Sequence, residues 1–402
     1  MSVLSRHANA LILAALIIVA GGAAAALRIP VSLFPFINYP RVVVAVDAGE
    51  RDPAQMAAQI TRPAPFAALG LDMALARHGA VLTEPAGRRY RASRTLLAPL
   101  RGAQMLGASG LVVHEGAILG DSFRNLAAGA VVAGVEGERV TLQAGVLPAR
   151  QMEGRAFCGF APGWADEAHW LIGGLPRLVA FTRMRLRDPA LRLVLPRLTP
   201  GSLQAQSVAL LGIPAEQIIE IGPAEALAFE ELGVLSALDL WQVSPFSRHA
   251  AHELAAVLAL RGAGAAPAAE RVFIRSAAVV GRLENAEGVA AALASLGFSV
   301  VDFDGLDLAQ RVGVMRRAQY VVGEHGPSLA NLFFCSPGTR VLEIFGPSAP
   351  QPMYWSVAAA CGLQYGYVAG TLAAAAAPGR WEAYTLPADS LAAAMSAMLA
   401  LA

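Results

Sequence analysis

The chain contains no lysine: all 31 of its basic residues are arginine. That excludes a phosphate loop built around a lysine, a Schiff-base enzyme and the lysine-dependent kinase site. Cysteine is nearly as scarce. Cys158, Cys335 and Cys361 lie far apart, with neither zinc spacing nor a disulfide framework, as suits a reducing compartment or plain core packing. Charge is thin as well, at 15% charged residues and a net +1. No basic field is present to recruit nucleic acid, and no acidic tail. A many-span membrane protein is excluded because only one apolar run reaches membrane length. Disorder is excluded too, since hydrophobic residues make up 55% of the chain without high net charge. What remains is a 402-residue chain with room for two or three domains and a sizeable core.

The single apolar run covers residues 10–27. As a helix it reaches roughly 27 Å, just enough for a hydrocarbon core. It is read as one membrane span or uncleaved anchor. A cleaved signal peptide and a buried Ala-rich helix are the alternatives, the former because small residues 21–26 follow the apolar stretch. Arg6 precedes the run, and Arg28 and Arg41 follow it, so the flanking charges do not fix its orientation.

Further along, short apolar runs separated by glycine over 80–150 read as strands and hairpins. From residue 166 strands alternate with helices. Residues 169–181 and 203–212 read as helical, and 191–197 and 217–222 as extended. Residues 247–261 form a helix that Ser247 can cap, and the Ala/Gly/Pro stretch 262–269 is a natural linker. The next hundred residues alternate most regularly: strands at 271–276, 298–303, 319–326 and 340–345, with helices at 289–296, 306–318 and 327–334 between them. This pattern predicts α/β architecture with a parallel, doubly wound sheet. Two such halves, 66–261 and 270–385, suggest two Rossmann-like domains facing a cleft. Residues 1–65 precede them with the hydrophobic helix, and 386–402 form a C-terminal helix.

Ligands of open parallel sheets bind outside the carboxyl ends of the strands. The segment GEHGPSLAN, 323–331, sits at such an end. Gly326 allows close backbone approach, and a helix starting at Pro327 would point free N–H groups outward. Ser328 and His325 add donors. This chemistry suits a diphosphate; a strand–turn–helix junction without a ligand is the other reading.

The same segment carries a resemblance. VVGEHGPSLANLFFCSPGTRVLEIF is similar to the hallmark of glycosyltransferase family 61, roughly HGA-x-L-x-N-x-x-F-x-x-PG followed by a glutamate in a strand. His325, Gly326, Leu329, Asn331, Phe334, Pro337, Gly338 and Glu343 fall in place. Upstream, Arg275, Arg282, Asn285 and Gln310 match further motifs. In DEAHWLIGGLPRL, His169, Trp170, Leu175, Pro176 and Arg177 match an HW…PRL motif. The resemblance covers about 80–370. It implies a GT-B type fold, a nucleotide-sugar donor, a glycan or lipid-linked acceptor of the capsule or exopolysaccharide kind, inversion at the anomeric carbon, and no metal ion or other cofactor. By the same carry-over, His325, Gly326, Ser328, Asn331 and Asn285 would line the donor. Arg275 and Arg282 would supply fixed positive charge, Glu343 would take ribose hydroxyls, and His169 would face the acceptor.

The pattern also has departures. HGP replaces HGA, Ala286 follows Asn285 where the family has glutamate, Asp166 stands for a leading Asn, and Gly173 occupies the place of a carboxylate. An inverting transfer needs a base for the acceptor hydroxyl, and Asp166, Glu167 and His169 are the candidates left. The alternative reading is a non-catalytic, transferase-derived protein tethered to the membrane.

Residues 27–63 resemble a different family. LRIPVSLFPFINYP with the subsequent DPAQM is similar to the start of a resistance-nodulation-division efflux transporter. Such a transporter needs many spans, so the likeness implies a fusion, a relic or a mis-assembled gene. It would also place the residues beyond the first span outside the cytoplasm, away from nucleotide sugars. The expectation is therefore inner-membrane association with the catalytic part in the cytoplasm, by reversed insertion or by a start further downstream.

Overall fold

The computed structural model describes residues 81–82, 95, 97–115, 117–119, 122, 132–136, 139–142, 149–236, 238, 243, 245–260, 269–275, 281–347, 353–373 and 383–400. The expected hydrophobic helix at 10–27 and the transporter-like stretch lie outside them. Among the described residues no helix is long and apolar enough to cross a membrane.

The first half is built on short strands followed by longer ones. They are β1 (Val81–Leu82), β2 (Leu97–Arg101), β3 (Gln104–Leu106), β4 (Leu111–His114), β5 (Ala117–Ile118), the separate hairpin of β6 (Val132–Glu136) and β7 (Arg139–Leu142), then β8 (Arg150–Cys158), β9 (Arg192–Pro196), β10 (Ile218–Ile221) and β11 (Ala226–Leu235). Eight of these form a mixed sheet in the order β10-β9-β8-β11-β3-β4-β5, with β2 also on β11. Only β8 to β11 run parallel; β2 to β5 are antiparallel additions. The antiparallel edge falls within 80–150, where the sequence reads as short strands and hairpins joined by glycine-containing turns; it makes the sheet of 66–261 mixed where a Rossmann-like, wholly parallel one was expected.

The helices of this half are α1 (Glu167–His169), α2 (Leu175–Met184), α3 (Leu203–Leu210) and α4 (Pro245–Leu260). A π-helical turn, Trp170–Gly174, joins α1 to α2 without a break. Such turns widen a helix locally and collect at functional sites. Gly174 makes this one possible: a Cβ there would lie 2.6 Å from Cε3 of Trp170. Trp170 is wholly buried and donates to Ser207 Oγ at 2.9 Å. Ser247 does not cap α4 as expected. The helix begins two residues earlier, and the Ser247 hydroxyl donates to Ile172 O in the π turn at 2.9 Å.

The second half supplies β12 (Arg271–Arg275), β13 (Arg282–Leu283), α5 (Ala286–Ser295), β14 (Ser299–Asp302), α6 (Leu308–Arg317), β15 (Tyr320–Glu324), β16 (Arg340–Phe345), α7 (Met353–Cys361), β17 (Gln364–Ala369), β18 (Thr371–Leu372), β19 (Ala383–Thr385) and α8 (Ala388–Ala400). Its sheet runs β1-β17-β16-β15-β12-β14. Every pair but the edge strand β1 is parallel. Within this sheet β12 therefore lies between the two parallel strands that succeed it in the chain, β14 and β15. The connections leave in opposite directions at that point, the arrangement that in open parallel sheets puts a ligand crevice at the carboxyl ends of the strands, here β12 and β15.

Alternation along β16 sorts the two faces. Leu342 and Ile344 pack with Leu293, Leu391 and Met395 under α5 and α8. Val341 and Phe345 face the other way, into a core that also holds Leu332, Phe333 and Trp355 of this half and Phe157, Trp170, Leu193 and Leu254 of the first. The two halves share that core. Polar links cross with it: Val243 N to Ser356 Oγ at 3.0 Å and Leu308 N to Gln206 Oε1 at 2.6 Å.

Candidate functional site

The carboxyl edge of the second sheet brings Arg275, the last residue of β12, beside Glu324, the last of β15. His325 and Gly326 come directly after, and the chain then enters an eight-residue helix, Pro327–Phe334, as expected, but of the tighter-wound 3-10 form. Asn331 contributes to that form: its Nδ2 donates back to Ser328 O at 2.9 Å. Gly326 is extended, so its backbone asks for no special conformational freedom.

His325 is the centre of a buried polar chain. Its backbone N–H donates to Ile344 O at 2.8 Å, fixing it against β16. Its Nδ1 lies 2.5 Å from Glu343 Oε1, and the Tyr365 hydroxyl donates to Glu343 Oε2 at 2.5 Å. Glu343 is wholly buried, with both oxygens engaged by protein. A carboxylate in an apolar strand needs such partners. Phe345 stacks on the imidazole at 4.8 Å, and Tyr354 meets it edge-on at 5.5 Å. The ring is thus held through Nδ1 and by two aromatic neighbours. Burial and the negative charge of Glu343 push the Tyr365 hydroxyl well above its ordinary value, so it serves as a fixed donor.

A second histidine–carboxylate pair stands on α1. Asp166 caps that helix, accepting from His169 N at 3.0 Å and from His169 Nδ1 at 2.9 Å. Burial opposes ionisation of Asp166, but the ring and backbone N–H groups of His169 outweigh it and hold the carboxyl below its ordinary value. Gly163, at φ +85°, fits beneath the ring; a Cβ there would sit 2.9 Å from His169 Cδ2. His169 keeps partial exposure (side chain 26%), so its Nε2 can reach a ligand.

The elements that carry the two pairs pack together. α1 packs against the 3-10 helix that comes after His325. Tyr354, edge-on to His325, is buried, its hydroxyl pushed well above the ordinary range by burial and then by Glu343, Asp166 and Glu167. Ser328 Oγ and Asn331 Oδ1, on the same 3-10 helix, are buried without a hydrogen-bond partner. Orphaned buried acceptors of this kind are uncommon and ask for a ligand or water.

The other sequence candidates sit around this centre or away from it. Arg275 reaches Glu287 at 2.9 Å, half exposed at the crevice edge, and its charge is felt at Glu324. Arg282, exposed at the start of β13, pairs with Glu284 at 2.9 Å. Asn285 braces the return of the chain toward α8: it donates to Leu386 O at 2.9 Å and accepts from Leu386 N at 3.0 Å. Gln310 completes a capping box with Asp307 at the start of α6. Arg177 is buried, and its guanidinium donates to the carbonyls of Gly173, Leu235 and Ser236. Among the described residues no group of three or more His, Cys, Asp or Glu is placed to hold a metal ion. Sequence reasoning missed Tyr354 and Tyr365, which reach the site from α7 and β17.

Comparison with curated proteins finds no match to the chain. A family model does match. It is described as Glycosyltransferase 61 and covers residues 168–342. That span runs from the helix bearing His169, through His325, to strand β16, and identifies this part of the chain as glycosyltransferase family 61.

Proposed function

We propose that the chain is an inverting glycosyltransferase that moves a sugar from a nucleoside-diphosphate donor to a hydroxyl of a glycan or lipid-linked acceptor, in a GT-B type arrangement of residues 66–261 and 270–385. The observation that carries this reading is that two histidine–carboxylate pairs, one from each half, stand on or directly beside two elements that pack together, α1 and the 3-10 helix after His325. The chemistry needs two such groups. The acceptor oxygen attacks the anomeric carbon from one side while the bond to the diphosphate oxygen breaks on the other. The acceptor proton must leave and the diphosphate charge must be met.

Asp166–His169 supplies the first group. An ionised Asp166 takes the Nδ1–H, which leaves the Nε2 lone pair to accept the acceptor's proton. The resulting imidazolium sits beside the carboxylate that stabilises it. This pair does the work of the carboxylate that Gly173 lacks. His325 supplies the second group. With Nδ1 bound to Glu343, its Nε2 is presented to the donor, where it donates a hydrogen bond to the leaving diphosphate oxygen. Glu343 on this reading orients His325 and does not touch ribose. Arg275 adds fixed charge at the crevice edge in the role a metal ion plays elsewhere, and Ser328 and Asn331 offer the polar atoms still without partners. The catalytic part would work in the cytoplasm, where nucleotide sugars are made.

The test is a thermal-shift panel of nucleoside diphosphates and nucleotide sugars on the full chain, followed by transfer assays with the donor that binds. A ligand at about 100 times its dissociation constant stabilises by about 2.7 kcal/mol. A selective shift lost in His325→Ala, with transfer lost in His169→Ala while the shift persists, supports the assignment. A folded protein that shifts with no nucleotide sinks it and favours the non-catalytic reading.

A further inference from the structure

Asp166 and His169 stand on a turn that is held from several sides. Gln204 Nε2 donates to Trp164 O and Ala165 O at 3.1 and 3.2 Å. Trp164 Nε1 donates to Ala108 O at 2.7 Å. These clamps all come from the first half. One clamp comes from the second. Arg311, on α6, reaches Glu167 Oε2 through Nη1 at 2.8 Å, while its Nε donates to Leu306 O at 3.1 Å and its guanidinium lies 5.7 Å from the Phe303 ring centroid. The Arg311 side chain is 7% exposed. It is built in place, since the Asp307–Gln310 capping box fixes the start of α6 just before it.

Glu167 is the first residue of α1, between Asp166 and His169. The Arg311–Glu167 pair therefore ties the acceptor-side pair to the half that carries His325. A planar guanidinium committed to a carboxylate, a carbonyl and a ring has one position available, and a misplacement of about 1 Å between reacting groups costs on the order of 10²-fold in rate. We propose that Arg311 is a positioning residue for the transfer: through Glu167 it sets where His169 stands relative to the donor held at His325. This rests on the reading of His169 as the base, and the experiment separates the two.

Glu167→Ala is the primary variant, because it leaves Arg311 with its Leu306 and Phe303 contacts and removes only a partly exposed carboxylate. Kinetics are counted per nucleotide-binding site, so that lost protein does not register as lost rate. The expected result is a fall in kcat of about 10- to 100-fold with donor KM and nucleotide binding within about twofold. Glu167→Gln, whose amide oxygen still accepts from Arg311, should recover most of the rate. Arg311→Met should reproduce Glu167→Ala if it folds. A second readout needs no activity: the imidazole signals of histidine-labelled protein, with His169 assigned through His169→Asn. In Glu167→Ala the His169 signals should move and those of His325 should stay. Unchanged His169 signals overturn the proposal whether or not transfer is detected. So does a fall in kcat matched by an equal loss of nucleotide binding. Moved signals in a protein with no transferase activity keep the positioning role and overturn only the reading of the base.

Discussion

His325 Nδ1 and Glu343 Oε1 stand 2.5 Å apart in the core, and the other Glu343 oxygen is taken by Tyr365. A wholly buried carboxylate that meets no solvent has no direct role in binding a soluble ligand; its effect passes through the ring it holds. Glu343→Gln should keep the shape but offer an amide where His325 needs an acceptor. We expect transfer to fall by roughly 10²- to 10³-fold with nucleotide binding weakened. Glu343→Ala, which strands both partners, should cost about 3 kcal/mol of stability. Steady-state kinetics and denaturant titration check the two halves of this statement.

Asp166→Asn tests the other pair. Asn cannot hold the Nδ1–H tautomer and the imidazolium as a carboxylate does, so kcat should drop by about 10² to 10⁴. The change should also appear in the acid stability of the fold. Asp166 has a depressed folded-state value, so its contribution is in full force above the unfolded value of 3.8 and fades as pH falls through the lower folded one. Thermal melts of the Asn variant should lack that portion of the acid-side decline.

Glu324 has the opposite sign. Burial raises its value; the Tyr384 hydroxyl, 3.3 Å away, and the charge of Arg275 only partly offset this. The folded state thus holds the proton more tightly, and charging the group costs stability as pH rises through the folded value. Glu324→Gln should raise the melting temperature by about 1–2 °C at pH 7.5 and leave it unchanged at pH 3.5. A lower melting temperature at neutral pH would show that Arg275 dominates.

Adjacent glycines in the π turn should respond differently. At Gly174 a Cβ meets the Trp170 ring at 2.6 Å, whereas at Gly173 its nearest neighbour is Arg177 Nη1 at 3.7 Å. Gly174→Ala should cost about 1–3 kcal/mol, and Gly173→Ala should be neutral or stabilise by about 0.4–1 kcal/mol. Equal effects in urea titrations would contradict the tight seating of Trp170.

The three thiols are free and buried. Burial lifts Cys158, takes Cys335 well above its ordinary value and carries Cys361 to about 12. The thiolate is the reactive form, so Ellman's reagent at pH 8 should find almost none in the native protein and all three after guanidinium unfolding.

Much of the second half was legible because each of its elements announces itself locally. The apolar runs of β12, β15 and β16 are bounded by glycine or by helix caps, and a buried parallel strand reads as an unbroken run. The first half gave less. β8 begins Arg-Gln-Met-Glu-Gly with most of these side chains exposed, so no alternation marks it, and β11 mixes Ala, Glu and Gly in the middle of the sheet. The sites split likewise. His325, Glu343 and His169 stand in motifs. Tyr365 comes to Glu343 through the pairing of β17 with β16, and Tyr354 through packing of α7, so nothing in the linear order sets either beside a histidine. Asp166 and His169 were adjacent candidates whose ranking needed the cap geometry, and Arg311–Glu167 spans 144 positions. Asn285 matched a motif yet spends both amide atoms on Leu386.

The common core beneath the two sheets bears on how this protein can change over time. Phe157 and Leu193 on one side and Leu332 and Trp355 on the other belong to one apolar cluster, so neither half has a boundary at which a differently shaped replacement could be fitted. Domain shuffling, the quick way for a modular transferase to acquire a new partner, would tear that seam open. New preferences must arise residue by residue along the crevice, with each substitution tolerated by both sheets at once.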